Sequence, residues 1–399
     1  MIVRQVFDSP ASLSRAERVS LRLILILVML LPLAFCFLSP PFMSPDEYMH
    51  FFKAYQIALG GLVSEQAQGT AGYRLPVEVI ALAGEMFPIP PHDQPFRYEV
   101  AAVLGAFAMP PIGNEMRFVG FPNMAPYAPT MYIPQAFGIL IGRIVEAPPI
   151  AQFYAGRLAN ALASSALTVA ALVLMPHRRW PLAVVALQPT TMSLFGSMSA
   201  DAMIFAVSFL VLSMSLRSVY ARPWRKSSIF GYPILVVLLT LAKGVYMPIA
   251  AAGLSPDRWR HRQRLPLIVF SILLGALAFI AWLSFGKGAE ITFSIISRVT
   301  LEPAMTARPA DQLQVVLDDP GRFSVILVRS FFDRLPVYVI QFIARLGENT
   351  LVLWAPLYAI GIILIIMTVF MPDTRELSLS IYERAWLLTI SFGGVILIE

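Results

Sequence analysis

The sequence predicts an all-α polytopic membrane protein, and three observations carry that reading. Of 399 residues, 57% are hydrophobic and only 14% are Asp, Glu, Lys or Arg, where a soluble domain carries about 25% charged residues. The mean hydropathy is +0.70. The apolar residues also fall into runs of roughly membrane length. A soluble fold could not hide this much apolar surface, so lipid must cover it. The same numbers exclude a cytosolic globular enzyme, a disordered chain and a nucleic-acid-binding domain. The net charge of +6 comes from loop arginines and fits basic cytoplasmic edges. One cysteine, Cys36, excludes a disulfide framework and a Cys-based zinc site.

The first apolar run, Leu23 to Leu38, follows Arg4, Arg15, Arg18 and Arg22. No small-residue cleavage site follows it, so it reads as a signal anchor with the N-terminus in the cytoplasm. Residues 39–126 are rich in Pro, Gly and charges, and with the next run they make a first external loop over 39–150. Further apolar runs cover 127–145, 151–175, 181–199, 202–218, 229–257, 265–285, 351–371 and 385–399. The basic clusters His177-Arg178-Arg179 and Arg222-Pro223-Trp224-Arg225-Lys226 both belong in the cytoplasm. The two runs between them then form a hairpin with Asp201 at its outer tip. Parity forbids 127–145 from crossing as well. With Pro129 and Pro134 in it, that run is expected to lie at the outer interface.

The cluster from Arg258 to Arg264 also favours the cytoplasm. An even number of crossings must then fit into 229–257, whereas two full spans need about 40 residues. Two short helices meeting at Lys243-Gly244 resolve the conflict. Residues 286–350 form a second external region, partly an amphipathic helix from Phe323 to Arg345. The total is about nine spans in one domain over 1–399. The last run stops at Glu399, short of a span of about 20 residues, so the chain is expected to be truncated there.

Chemistry-bearing residues cluster at the predicted outer ends. Ser44-Pro45-Asp46-Glu47 has capping-box spacing, with Pro45 suited to the first helical position. If the helix continues to about residue 60, Asp46, His50 and Lys53 share one face at i, i+4 and i+7. An acid and an imidazole there can deprotonate a hydroxyl. With further ligands they can hold a divalent cation, although one helix supplies too few by itself. Asp201 is either an ordinary helix start or part of a composite site with Asp46. Lys243 at membrane depth costs roughly 2.5–3.5 kcal/mol, which favours a functional role or a buried partner over snorkelling. Arg157 either binds a lipid phosphate or anchors its helix, and Arg345 is similarly ambiguous.

Pro45-Asp46-Glu47 after the first span, Tyr127-Ala128-Pro129-Thr130-Met131-Tyr132, Arg157-Leu158-Ala159-Asn160, Asp201, Leu241-Ala242-Lys243-Gly244 and Gln341 to Gly347 occur in this order. The set resembles a bacterial predicted-membrane-protein family of the GT-C glycosyltransferase clan, over roughly residues 20–371. The resemblance implies a GT-C-like bundle in the bacterial cytoplasmic membrane, with interfacial helices near 46–60 and 127–145. It implies transfer of a sugar from a polyprenyl-phosphate donor to an envelope glycan or lipid acceptor on the outer face. Asp46 and Asp201 are then the catalytic carboxylates, and Glu47, His50, Arg157, Lys243 and Arg345 the substrate-binding residues. Family members continue past the point where this chain stops, with further spans and a Gly-Arg-Tyr motif. The competing expectations are a flippase for a lipid-linked sugar and a non-catalytic partner in envelope assembly.

Overall fold

The computed structural model describes residues 14–67, 70–86, 99–176, 179–220, 226–254, 265–285, 309–347 and 351–370, with 382, 385–387 and 389. Helix α1 (Arg15–Leu38) opens with a complete capping box. The Ser14 side chain accepts from the Glu17 amide, and the Glu17 carboxylate accepts from the Ser14 amide. Among the described residues, helix α1 is one of three helices long and apolar enough to cross a membrane.

Helix α2 (Glu47–Ala58) is the first correction. Eight of its 12 residues are buried against the rest of the protein. It begins two residues later than a capping box at Ser44 requires. Its N-cap is Asp46, in the left-handed region at φ 55° and without a side-chain cap bond.

The second correction is strand structure in a chain expected to be all-α. Residues 65–120 hold a three-stranded antiparallel sheet, β1 (Glu65–Ala67), β2 (Thr70–Pro76) and β3 (Met116–Gly120). Tyr73 pairs with Val119 and Leu75 with Arg117. Short helices α3 (Val77–Met86) and α4 (Val100–Ala106) lie between β2 and β3.

The run 127–145 forms a 3-10 turn (Pro129–Tyr132) and helix α5 (Ile133–Ile144). Twelve residues make about 18 Å of helix, too short to cross a hydrocarbon core of about 30 Å. Helix α6 (Pro149–Leu174) has 26 residues and is the second long apolar helix. The two pack antiparallel along the start of α6. A Cβ on Gly138 would sit 2.2 Å from the Ala155 carbonyl oxygen, and one on Gly142 would sit 2.9 Å from the Gln152 side chain.

The run 181–199 does not form one span. It breaks into α7 (Arg179–Ala186) and α8 (Pro189–Phe195), with Gln188 extended at ψ 139° between them. Pro189 causes the break, since its ring disfavours a helical residue before it and it supplies no N–H. Helix α9 (Asp201–Tyr220) follows and packs extensively on α6.

Helix α10 (Lys226–Ala242) ends at Lys243, which is extended at φ −153° and ψ 116°, and a 3-10 segment (Gly244–Gly253) continues. The break falls at the Lys243-Gly244 junction anticipated from the charge parity. Helix α11 (Leu265–Phe285) is the third long apolar helix. The remaining described elements are α12 (Pro309–Asp318), α13 (Pro320–Ala344), the two-residue strands β4 (Arg345–Leu346) and β5 (Leu351–Val352), and α14 (Ala355–Phe370). The described residues thus contain three helices of spanning length and composition, against the nine spans expected. The run 385–399 lies almost wholly outside them.

Candidate functional site

Four segments far apart in sequence converge on one cavity of about 130 Å3. Asp46 and His50 come from the start of α2, Met124, Tyr127 and Tyr132 from the loop and turn before α5, Asp201 from the start of α9, and Lys243 from the end of α10. Small side chains at Ala128, Ala200 and Ala242 leave the space open.

Asp46 holds the positive φ that starts α2. Asp is among the few non-glycine residues that adopt it readily, through local hydrogen bonding of a short polar side chain. The Asp46 carbonyl accepts the His50 amide at 3.0 Å. The carboxylate is part-exposed on the cavity.

His50 is buried. Its Nδ1 lies 2.9 Å from the Tyr132 hydroxyl, which donates onward to Met124 Sδ at 3.4 Å. Its Nε2 lies 3.4 Å from Ser199 Oγ. Both ring nitrogens thus have a hydroxyl partner, with the proton's place set by the tautomer. Burial holds the imidazole pKa below its usual value, opposed by the nearby Asp201 and Asp46 carboxylates. Burial likewise pushes the Tyr132 phenol well above its usual range. His50 is therefore neutral at pH 7.

Across the cavity, Lys243 Nζ donates to Asp201 Oδ1 at 3.1 Å. Both side chains are about one-third exposed, at 30% and 34%. The same ammonium lies 5.6 Å from the centre of the Tyr127 ring, within cation–π range. The Asp201 amide donates to Ser199 Oγ at 3.2 Å, which ties this carboxylate's backbone to the hydroxyl facing His50.

Glu47 and Arg157 are placed elsewhere, which corrects the substrate-binding role expected of them. Both side chains are fully buried, with Arg157 Nη2 donating to Glu47 Oε2 at 2.7 Å and Nε to Oε1 at 2.9 Å. Nη1 donates to the Cys36 and Ser39 carbonyls and Nη2 to the Pro40 carbonyl. A guanidinium has five N–H groups, and these bonds use every one, leaving none for a lipid phosphate. Glu47 also accepts from the Met198 amide at 2.9 Å and the Ser44 amide at 3.4 Å. The Ser44–Glu47 contact is one half of a capping box, embedded in a buried ion pair that joins α2, α6 and the loop before α9.

Lys53 does not share the cavity face with Asp46 and His50. It is fully buried, donating to Ser64 Oγ at 3.0 Å and to the Ala125 carbonyl at 3.2 Å. Burial lowers its pKa to about 7. It pins the loop that carries Met124 and Tyr127, and Trp282 of α11 donates to the neighbouring Pro126 carbonyl at 2.8 Å. Arg345 enters β4, paired with Val352, and its side chain lies outside the described residues. Among the described residues no three His, Cys, Asp or Glu side chains are grouped so as to hold a metal ion.

Sequence reasoning assigned no role to Tyr127, Tyr132, Met124 or Ser199. Their only local signal is the Tyr-rich stretch 127–132. Nothing in the spacing shows that it faces residues 50, 201 and 243.

No curated protein and no solved structure matches the chain. The model of the family described as "Predicted membrane protein (DUF2142)" matches residues 29–399. The chain therefore belongs to this family of membrane proteins.

Proposed function

We propose that the protein is a GT-C-type glycosyltransferase that moves a sugar from a polyprenyl-phosphate donor to an envelope acceptor at the outer face of the cytoplasmic membrane. One observation supports this above the others. The carboxylates of Asp46 and Asp201 and the ammonium of Lys243 line a single cavity, although up to 197 residues separate them (243 − 46). Paired acid and base groups in one cavity beside apolar helices suit a charged, sugar-bearing headgroup whose lipid tail stays outside.

In this reading Lys243 neutralises charge on the departing phosphate. The acceptor oxygen attacks the anomeric carbon as the carbon–oxygen bond to phosphate breaks, and the phosphate keeps that electron pair. Asp46 takes the acceptor's proton. Inversion at the anomeric carbon follows from a single displacement. Neutral His50, held between Tyr132 and Ser199, fixes this wall of the cavity without adding charge.

Complementation of a deletion strain with Asp46→Asn tests the proposal, with lipid-linked sugars quantified by mass spectrometry. Asn also tolerates the left-handed backbone at position 46, so folding should survive. It cannot accept a proton at neutral pH, so transfer should fall about 100-fold or more and the donor should accumulate. A wild-type glycan profile in that strain would sink the base assignment and favour a flippase or a non-catalytic partner.

A further inference from the structure

Lys243 and Asp201 face each other across the cavity that would hold the donor headgroup. The ammonium is bonded to a carboxylate, at 3.1 Å. The two side chains come from α9 and from the α10 end, 42 residues apart, so no local helix geometry forces the contact. Both remain about one-third exposed to the cavity, and both line it. A phosphate has the same charge sign as the carboxylate and a similar oxygen-to-oxygen spacing. A phosphate bound at Lys243 therefore sets a second negative charge against the Asp201 carboxylate, and their repulsion favours parting the pair.

We infer that Asp201 is an anion placeholder: its carboxylate occupies the phosphate subsite at Lys243 until a phosphate-bearing lipid displaces it. This deepens the proposed function and rests on the assignment of the phosphate to Lys243. The exchange has two consequences. A cation at membrane depth is never left without a counter-charge, which is the arrangement that makes such a residue tolerable. Displacement also frees the Asp201 carboxylate only after the phosphate has arrived, and so readies a hydrogen-bond acceptor for the second substrate in that order. Tyr127 supports the exchange, because its ring keeps the ammonium in place at 5.6 Å while the anionic partner changes.

The test is equilibrium binding of a short-chain isoprenyl phosphate to the full chain in detergent micelles. The matching isoprenyl alcohol separates tail binding from phosphate binding. Asp201→Asn removes the competing charge, keeps a residue suited to a helix start, and should tighten phosphate binding about three- to tenfold. Asp201→Ser, a second residue suited to that position, should do the same, and monodispersity by size exclusion guards against misfolding. Lys243→Met should abolish the phosphate-dependent part of binding, and Asp201→Asn should then bring no gain. If Lys243→Met leaves phosphate binding unchanged, the reading of Lys243 in the proposed function fails. If Lys243→Met abolishes it while both Asp201 variants bind no tighter than wild type, the placeholder alone is overturned.

Discussion

Arg157 shows how one residue can be chemically suggestive in the sequence and structurally committed in the fold. It carries a planar five-donor group well suited to phosphate, yet all five donors are spent on Glu47 and the carbonyls of residues 36, 39 and 40. Those partners lie 110 to 121 residues away, and no local pattern announces a contact at that separation. Replacing Arg157 with Met should destabilise the protein by about 3–5 kcal/mol, because Glu47 is left as an unpaired buried charge. The double change Arg157→Met with Glu47→Leu should recover part of that loss, since removing both charges ends the desolvation penalty. Thermal melting in detergent distinguishes the outcomes. If the single change melts like wild type, the pair contributes nothing and Arg157 is open to another role. Asp46, His50 and Lys53 teach the same lesson. Helical periodicity placed the three on one face, but Asp46 is outside the helix as its cap and Lys53 bonds away from the cavity, to Ser64 and Ala125.

At the scale of elements, hydropathy located the long apolar helices well. The run 265–285 is α11 to the residue, and 151–175 is α6 within two residues at each end. It fared worse where backbone chemistry interrupts an apolar stretch, as Pro189 does in 181–199. The sheet over residues 65–120 was missed because β1 has only three residues and the seven-residue β2 buries neighbours side by side, so no alternation shows. The α5–α6 hairpin depends on glycine for a reason visible only in three dimensions. Its helices touch where Gly138 meets the Ala155 carbonyl, and a Cβ there would lie 2.2 Å from backbone oxygen. Gly138→Leu must push the helices apart, and it should cost about 1–3 kcal/mol or more. Gly84 is the contrast, an exposed position inside α3 where an added Cβ meets nothing within 4 Å. Gly84→Ala should stabilise by about 0.5–1 kcal/mol through helix propensity and lost chain entropy. Melting temperatures that move in the same direction for both variants would contradict this packing.

For the whole molecule, the sidedness expected from basic clusters makes residues 39–150 extracytoplasmic. The buried native Cys36 leaves little background for labelling, so a cysteine introduced at Ala147, in the α5–α6 connection, should react with a membrane-impermeant maleimide in intact spheroplasts. Reaction only after permeabilisation would place that connection in the cytoplasm and overturn the parity argument. The membrane character of the chain, its longest helices and the break at Lys243 were determined by sequence alone. Each follows from a local quantity: apolar run length against bilayer thickness, or a charge inside an apolar run. Only the tertiary structure decided which charges meet. It buried Glu47 with Arg157, paired Asp201 with Lys243, and brought Asp46 and His50 to the same cavity. Contacts between residues 40 to 200 positions apart are selected by packing and by the need to give every buried charge a partner, and that requirement is satisfied in space with no trace in sequence spacing.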